Sequence, residues 1–307
     1  NSWFGKHPIT TYLILAYGIT WLCWIPSLII STTNGYLLPA TDNFTTFIQS
    51  GFSNTNHILI SVVFSLAVYG PLVGAFVVTR LGSGKAGIAE LWGRITKWRI
   101  GIRWYLVATL IIFTLAVVPF LLVILTRLTN FNGSGLLALA PFIPLLLLWQ
   151  ILSSGFGEEP GWRGFLLPRL QARFGGEKYI WYLGLIWAIW HYPFTAYITI
   201  SSMVDVSVPA MIFSVIFALA GNTMSLIGMT YIYVWLNNNT KSVFLAILFH
   251  AFSNLINTVV LASIEGFNPI VNLIIALMPW AIVLVLSKVL GKEKFPGRQI
   301  TTAESIY

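Results

Sequence analysis

Nine acidic side chains occur among the 307 residues, and only Glu158 and Glu159 abut a long apolar run. The others, Asp42, Glu90, Glu177, Asp205, Glu265, Glu293 and Glu304, fall in loops or tails. Of the four histidines, His191 and His250 lie well inside apolar stretches, whereas His7 and His57 sit beside the ends of such stretches. An ionisable group within a membrane span costs about 2.5 to 3.5 kcal/mol on insertion scales, so each of these deep groups needs a partner or a purpose.

Three short segments carry them. In "FGEEPGWRGFLLPRLQ", Glu159 and Arg163 stand four apart, so a continuing helix pairs them on one face and points Glu158 elsewhere. Two adjacent carboxylates are not both charged cheaply in low dielectric, so a pair committed to Arg163 leaves the other free to act as a base. In "IWAIWHYPF", Trp187 and His191 share a face, with Pro193 loosening the helix just beyond. In "LFHAFSN", His250 and Asn254 share a face at the same spacing and can aim polar groups into a bundle.

Each segment also has a structural reading. The glutamates could be a solvated helix end, His191 a satisfied interior hydrogen-bonder, and His250 with Asn254 (and Asn257) bridges between packed helices. What tips the balance is coincidence, because the only deep acids and the only deep histidines occur on three helices that one bundle can bring together. In such a site a carboxylate base activates water while imidazole and carboxamide donors stabilise an oxyanion, or the same groups hold a metal that does both. Either arrangement supports hydrolysis of an acyl bond.

The elements that must position these groups are membrane spans. With 57% hydrophobic and 8% charged residues, the chain has too little polar surface to cover a water-soluble domain. A span needs about 20 apolar residues. Eight stretches qualify: Ile9–Ile30, Ile58–Val78, Trp104–Leu125, Leu136–Gly157, Tyr179–Ile200, Pro209–Leu236, Val243–Ala262 and Ile270–Leu290. The fold expected is therefore all-α, a polytopic membrane helix bundle of about eight spans over residues 1–307 as a single transmembrane domain, with its motif-bearing core at about 137–262. The first apolar stretch is too long for a signal-peptide core and reads as a retained span.

A start inside the cell places Lys6, then Arg80, Lys85, Arg94, Lys97, Arg99 and Arg103, then Arg163, Arg169, Arg173 and Lys178, on one face. Lys241, Lys288, Lys292, Lys294 and Arg298 follow on that face, and of the 17 basic residues only Arg127 falls on the other. The positive-inside rule makes the basic face cytoplasmic, with both termini there, and an added or lost span would scatter the later basic loops. Basic residues flank apolar segments and do not form a patch, which argues against nucleic acid as a partner despite a net charge of +8. The segments Ile88–Ile100 and Gly164–Phe174 mix apolar and basic residues at helical spacing, so they are expected to lie along the headgroups as interfacial amphipathic helices. Trp104, Tyr105, Tyr179, Trp181, Tyr182 and Trp235 suit an interfacial aromatic belt. The single cysteine, Cys23, excludes an intrachain disulfide and a cysteine metal cluster.

The ordered set EExxxR at Glu158 to Arg163, (F/W)xxxH at Trp187 to His191 and HxxxN at His250 to Asn254 resembles the CPBP (Abi) family. That family comprises intramembrane CAAX prenyl endopeptidases of the Ras-converting-enzyme type and bacteriocin-processing or immunity relatives. The resemblance covers about a third of the chain, and "GWRGFLLPRLQ" looks like the bacterial branch. It implies that Glu158 with His191 activates the attacking water, that His250 with Asn254 forms the oxyanion hole, and that Glu159, Arg163 and Trp187 support them. The family has been described both as metalloproteases and as metal-independent glutamate proteases. A zinc ion would take Glu158, His191, His250 and Asn254 as ligands, although no HExxH spacing is present; the cofactor expected is none or zinc.

The function expected is therefore an intramembrane endopeptidase in a bacterial plasma membrane, acting on a CAAX-type prenylated or other membrane-associated peptide that reaches it from the cytoplasmic side. The alternatives are a non-catalytic immunity or interaction protein and a proton-coupled small-solute transporter. One demand follows from depth: His191 lies about 18 Å along its span, so the fourth helix must extend beyond Gly157 for Glu158 to meet it. Pro160 is expected to kink that helix or to open a water path.

Overall fold

The computed structural model describes residues 6–40, 44–203, 205–265, 269–291 and 294–297. Asp42, Lys292, Glu293, Arg298 and Glu304 lie outside the described residues. Among the described residues ten helical elements follow in chain order: α1 (Pro8–Asn34), α2 (Phe44–Ser50), α3 (Thr55–Ala67), α4 (Gly70–Ile95), α5 (Ile102–Leu125), α6 (Gly133–Arg173), α7 (Lys178–Ser201), α8 (Val208–Thr240), α9 (Val243–Ala262) and α10 (Pro269–Leu290). No strand occurs among the described residues, only an isolated bridge between Phe131 and Ile264. The protein is an all-α polytopic membrane bundle. Six of these helices, α1, α5, α6, α8, α9 and α10, are long and apolar enough to cross a membrane.

The other two expected spans differ from the sequence reading. The stretch Ile58–Val78 is not one rod: α3 and α4 meet at a 50° bend and make at most one broken span. Gly70 and Pro71 open the second piece, where proline's missing N–H costs nothing. The stretch Tyr179–Ile200 is one helix of the right length, the 24-residue α7, but it is not among the helices apolar enough to count as spans. Its tyrosines, His191 and Pro193 dilute its hydropathy because it is the helix most committed to the interior polar site.

The fourth helix is longer than the apolar run that announces it, as the depth argument requires. Residues 133–173 form one element of 41 residues, about 60 Å at 1.5 Å per residue. It is interrupted by π-helical turns at Ile151–Gly155 and Pro160–Leu166, which flank the two glutamates. Wide turns of this kind concentrate at functional positions, and here they accommodate Pro160, which can donate no backbone hydrogen bond. The expectation that Gly164–Phe174 lies along the headgroups is overturned: Phe165, Leu166 and Leu167 are fully buried, and the segment runs on from α6 into the core. In the other basic segment, Ile88–Ile95 is the end of α4 beyond a kink at Gly84 (φ 64°), with Leu91 and Ile95 inward and Trp92 outward. Tyr179 and Trp235 are likewise interior residues, while Trp181 and Tyr182 are exposed as an aromatic belt requires.

Small residues set how closely the helices approach. Gly70 and Gly74 of α4 lie against Thr20, Ala16 and Tyr12 of α1; a Cβ on Gly70 would stand 2.5 Å from the Ala16 carbonyl. On α6, a Cβ on Gly155 would be 2.8 Å from the Ile247 carbonyl of α9, and one on Gly161 would be 2.5 Å from the Tyr12 hydroxyl and 2.6 Å from Pro71. The motif helix is thereby clamped between α9 and the α1–α4 pair. Against α7, α1 is tied by the Trp21 indole donating to the Trp190 carbonyl at 3.0 Å and the Tyr17 hydroxyl donating to the Ile186 carbonyl.

Candidate active site

Glu158 and Glu159 are both buried, at 2% and 0% exposure, and they face different neighbours. The Glu159 carboxylate accepts from Arg163 Nη1 at 2.9 Å, the pairing expected from four-residue spacing, and through the same Oε1 from His250 Nδ1 at 2.7 Å. Arg163, itself buried, lies over the Trp187 ring at 4.1 Å and the Tyr233 ring at 3.8 Å. A guanidinium flanked by two aromatic faces and one carboxylate is fixed in plane and position. Glu158 Oε2 instead accepts two indole N–H bonds, from Trp187 at 2.8 Å and Trp162 at 3.3 Å.

Trp187 is the hub that joins the three motifs. Its indole N–H holds Glu158, its backbone carbonyl accepts from His191 Nδ1 at 2.9 Å, and its ring meets the His250 ring edge-on at 5.7 Å between centroids. Because a carbonyl only accepts, His191 must carry its proton on Nδ1, which leaves Nε2 as an acceptor. By the same logic His250 donates from Nδ1 to Glu159, and its Nε2 remains for another partner.

A cavity of about 500 Å³ lies against this cluster. Glu158, Trp187, His191, His250 and Asn254 all line it, while Glu159 and Arg163 lie behind it. The four principal residues expected from the sequence are thus brought to one wall of one cavity, and the supporting pair braces them from the protein side. His57 is not part of the site: buried near the far end of α1, it accepts from the Ser53 amide at 3.0 Å and donates from Nε2 to the Leu37 carbonyl at 2.7 Å.

Asn254 arrives with company that the motifs did not announce. Its Nδ2 donates to Gln150 Oε1 and to Ser154 Oγ, each at 3.1 Å, and the Ser154 hydroxyl also donates to Gln150 Oε1 at 2.7 Å. Gln150, Ser154 and Glu158 recur every fourth residue on α6, so one stripe of that helix presents amide, hydroxyl and carboxylate to the cavity. That spacing is visible in "WQILSSGFGEE", but neutral polar residues in a span more often bond helix to helix, and nothing in the segment singles them out. Tyr233, beneath Arg163, and Trp162, beside Glu158, are the other site neighbours that the motifs missed.

The residues present do not make a zinc site of the usual kind. Among the described residues no group of three His, Cys, Asp or Glu side chains converges as a metal requires. One Glu158 oxygen, Oε2, is already committed to two indoles. The carboxylate and imidazole acceptor at the cavity wall suit proton transfer to and from a water molecule.

A buried carboxylate–imidazole cluster thus sits on facing helices of a membrane bundle. The segment that carries it resembles known proteins. Residues 138–256 match the Rce1-like family, described as type II CAAX prenyl endopeptidase Rce1-like. Over 144 residues the chain is 32% identical to the CAAX prenyl protease 2 of Methanococcus maripaludis, a similarity that covers 47% of this chain and 50% of that protein. The chain thus spans about half the length of the curated relative it matches. Through this segment, which contains all three motifs, the chain is similar to the Rce1-like family of type II CAAX prenyl endopeptidases.

Proposed function

We propose that the protein is an intramembrane endopeptidase that hydrolyses a peptide bond of a membrane-associated substrate, using Glu158 and His191 to activate water. The observation that carries this reading is the convergence of Glu158, His191 and His250 around Trp187 on the wall of one cavity. Water held between the Glu158 carboxylate and His191 Nε2 gives a proton to Glu158 as its oxygen bonds to the scissile carbonyl carbon. The oxyanion that forms accepts from Nε2–H of a His250 protonated on both ring nitrogens, with Glu159 accepting its Nδ1–H and Arg163 fixing that carboxylate from behind. Asn254 supplies a second donor once the carbonyl oxygen replaces one of its bonds to Gln150 and Ser154. Collapse breaks the C–N bond, and the leaving amine takes the proton back from Glu158.

The substrate class follows the relative's name and stays coarse: a CAAX-type prenylated chain or a bacterial peptide, cut near an end that reaches the cavity. Purified protein in detergent is incubated with a peptide library, with and without a chelator, and products are read by mass. Cleavage is expected in both conditions, and Glu158→Gln is expected to abolish it at unchanged thermal stability. Full turnover by Glu158→Gln would refute the reading and favour a non-catalytic immunity or interaction role. Loss of wild-type cleavage on chelation, restored by zinc, would refute the metal-free route alone.

A further inference from the structure

The polar side chains that line the cavity fall into two kinds. Some are already bonded: Gln150 and Ser154 of α6 form a closed set with Asn254 of α9, and Ser153 donates to the Trp149 carbonyl at 2.6 Å. Others are not. Asn222 of α8 and Ser253 of α9 line the same cavity, and neither Asn222 Nδ2 nor Ser253 Oγ has a hydrogen-bond partner among the described residues, although both atoms are buried. The Tyr233 hydroxyl shares this condition but lies under Arg163, at the catalytic end.

A simpler solution was open to Ser253. Thr258 and Ser263 on the same helix donate to carbonyls four residues back, at 2.9 and 2.6 Å, as hydroxyls inside a span commonly do. Ser253 does not bond back, so its hydroxyl remains available to the cavity. Asn222 is held in place by its neighbours. The Tyr192 hydroxyl of α7 bonds the Thr223 hydroxyl at 2.9 Å, and the Trp280 indole of α10 donates to the Met224 carbonyl at 2.7 Å. The α8 helix therefore cannot turn Asn222 toward another partner without breaking both ties.

These two residues belong to stripes that lead away from the catalytic wall. On α8, Asn222, Ser225, Leu226, Met229 and Tyr233 line the cavity at helical spacing, a run of about 16 Å at 1.5 Å per residue. On α9, Ser253 stands one turn from His250, and Asn257 follows one turn further. An extended peptide advances about 3.3 Å per residue, so about five of its residues fit along the α8 stripe. Within a membrane bundle each peptide group of such a chain needs a hydrogen-bond partner. No Lys or Arg among the described residues lines the cavity, so its unpaired groups suit neutral peptide groups.

We propose that Asn222 and Ser253 are substrate-binding residues that form a main-chain subsite beside the catalytic wall. The Asn222 carboxamide pairs with one peptide group of the substrate, Nδ2 donating to its carbonyl and Oδ1 accepting from its N–H. The Ser253 hydroxyl donates to a second carbonyl of the same chain. Such a subsite holds the backbone and no side chain, so it fixes how an extended chain lies against Glu158 while leaving the sequence of that chain free. The word substrate rests on the protease reading above; the binding of an extended peptide rests on the cavity and its two unpaired groups.

Asn222→Leu and Ser253→Ala, each close in volume to the native residue, test it. The Glu158→Gln protein in detergent is incubated with the peptide library and the retained peptides are read by mass, with and without each second substitution. Retention of the best-held peptides is expected to fall about five- to tenfold per variant, the worth of one hydrogen bond, at an unchanged or raised Tm, because an unpaired buried group has been removed. A backbone N-methyl scan of one such peptide should find a position that weakens binding to the Glu158→Gln protein but not to its Asn222→Leu derivative. Unchanged retention, a lowered Tm, or no peptide retained at all overturns the proposal. Cleavage is measured separately with Glu158 intact, where each variant should raise KM by the same factor with kcat held, and a fall in kcat alone overturns the binding role. If no peptide is cleaved while retention still depends on Asn222 and Ser253, the protease reading fails and the subsite stands.

Discussion

Arg163→Ala removes a charge whose partners are all interior. Arg163 and Glu159 are 1% and 0% exposed, so water can replace neither side of their 2.9 Å pair. Breaking a buried pair by removing one partner costs about 3 to 5 kcal/mol, because the charge left behind is uncompensated. The two ring contacts at 4.1 and 3.8 Å are lost as well, worth on the order of 1 kcal/mol each. Taking 3 to 5 kcal/mol alone and an unfolding entropy of about 2.1 cal/mol/K per residue over 307 residues, the Tm falls by roughly 5 to 8 °C. The assay is thermal unfolding in detergent for Arg163→Ala, Glu159→Gln and the double variant. Because Glu159→Gln removes the orphaned charge, the double variant should be less destabilised than the sum of the singles by at least about 1 kcal/mol. Strict additivity would refute the claim that these two groups act as one buried pair.

Gly161→Leu places a side chain where a Cβ alone would already be 2.5 Å from the Tyr12 hydroxyl, so α6 must leave α1 and α4; a loss of about 1 to 3 kcal/mol or more is expected on thermal unfolding, with turnover falling alongside. His57→Ala removes both the Ser53 and Leu37 bonds and should lower stability by about 1 to 3 kcal/mol while kcat of the folded fraction is unchanged. Gln150→Ala frees the Asn254 carboxamide to rotate, so kcat should drop about tenfold or more with KM held, and Gln150→Glu, which keeps an acceptor oxygen, should restore part of it. A change in KM alone would show that Gln150 touches substrate and does not orient Asn254.

The broad architecture was legible because lipid allows few solutions: long apolar runs must be helices, and rare deep charges must converge. The Glu159–Arg163 and Trp187–His191 contacts followed from four-residue spacing, and the reach of α6 past Gly157 followed from depth. Hydropathy failed where a helix serves the site. The α7 helix is too polar to register as a span, and the tail of α6 carries Arg163, Arg169 and Arg173 yet is buried on its other face. The bend before Gly70 escaped because Val68 and Tyr69 are as apolar as a rod requires, and only Gly70 and Pro71 mark the break. Gln150 and Ser154 escaped because neutral polar residues in a span rarely carry chemistry.

The packing around the glutamates was the hardest property to read, since the charges of the loops say nothing about it. The missing information lies in glycines and not in charges. Gly161 and Gly164 let α6 press against α1 and α4 beyond the glutamates, while Gly155, before them, lets it press against α9. On the other side of Glu158 the helix shows its polar stripe, and α7 opposite it is partly accessible from His191 onward. A water molecule at Glu158 therefore has one dry wall and one wet approach. The buried Glu159–Arg163 pair belongs to the dry wall, where Glu159 Oε1 accepts from both Arg163 and His250.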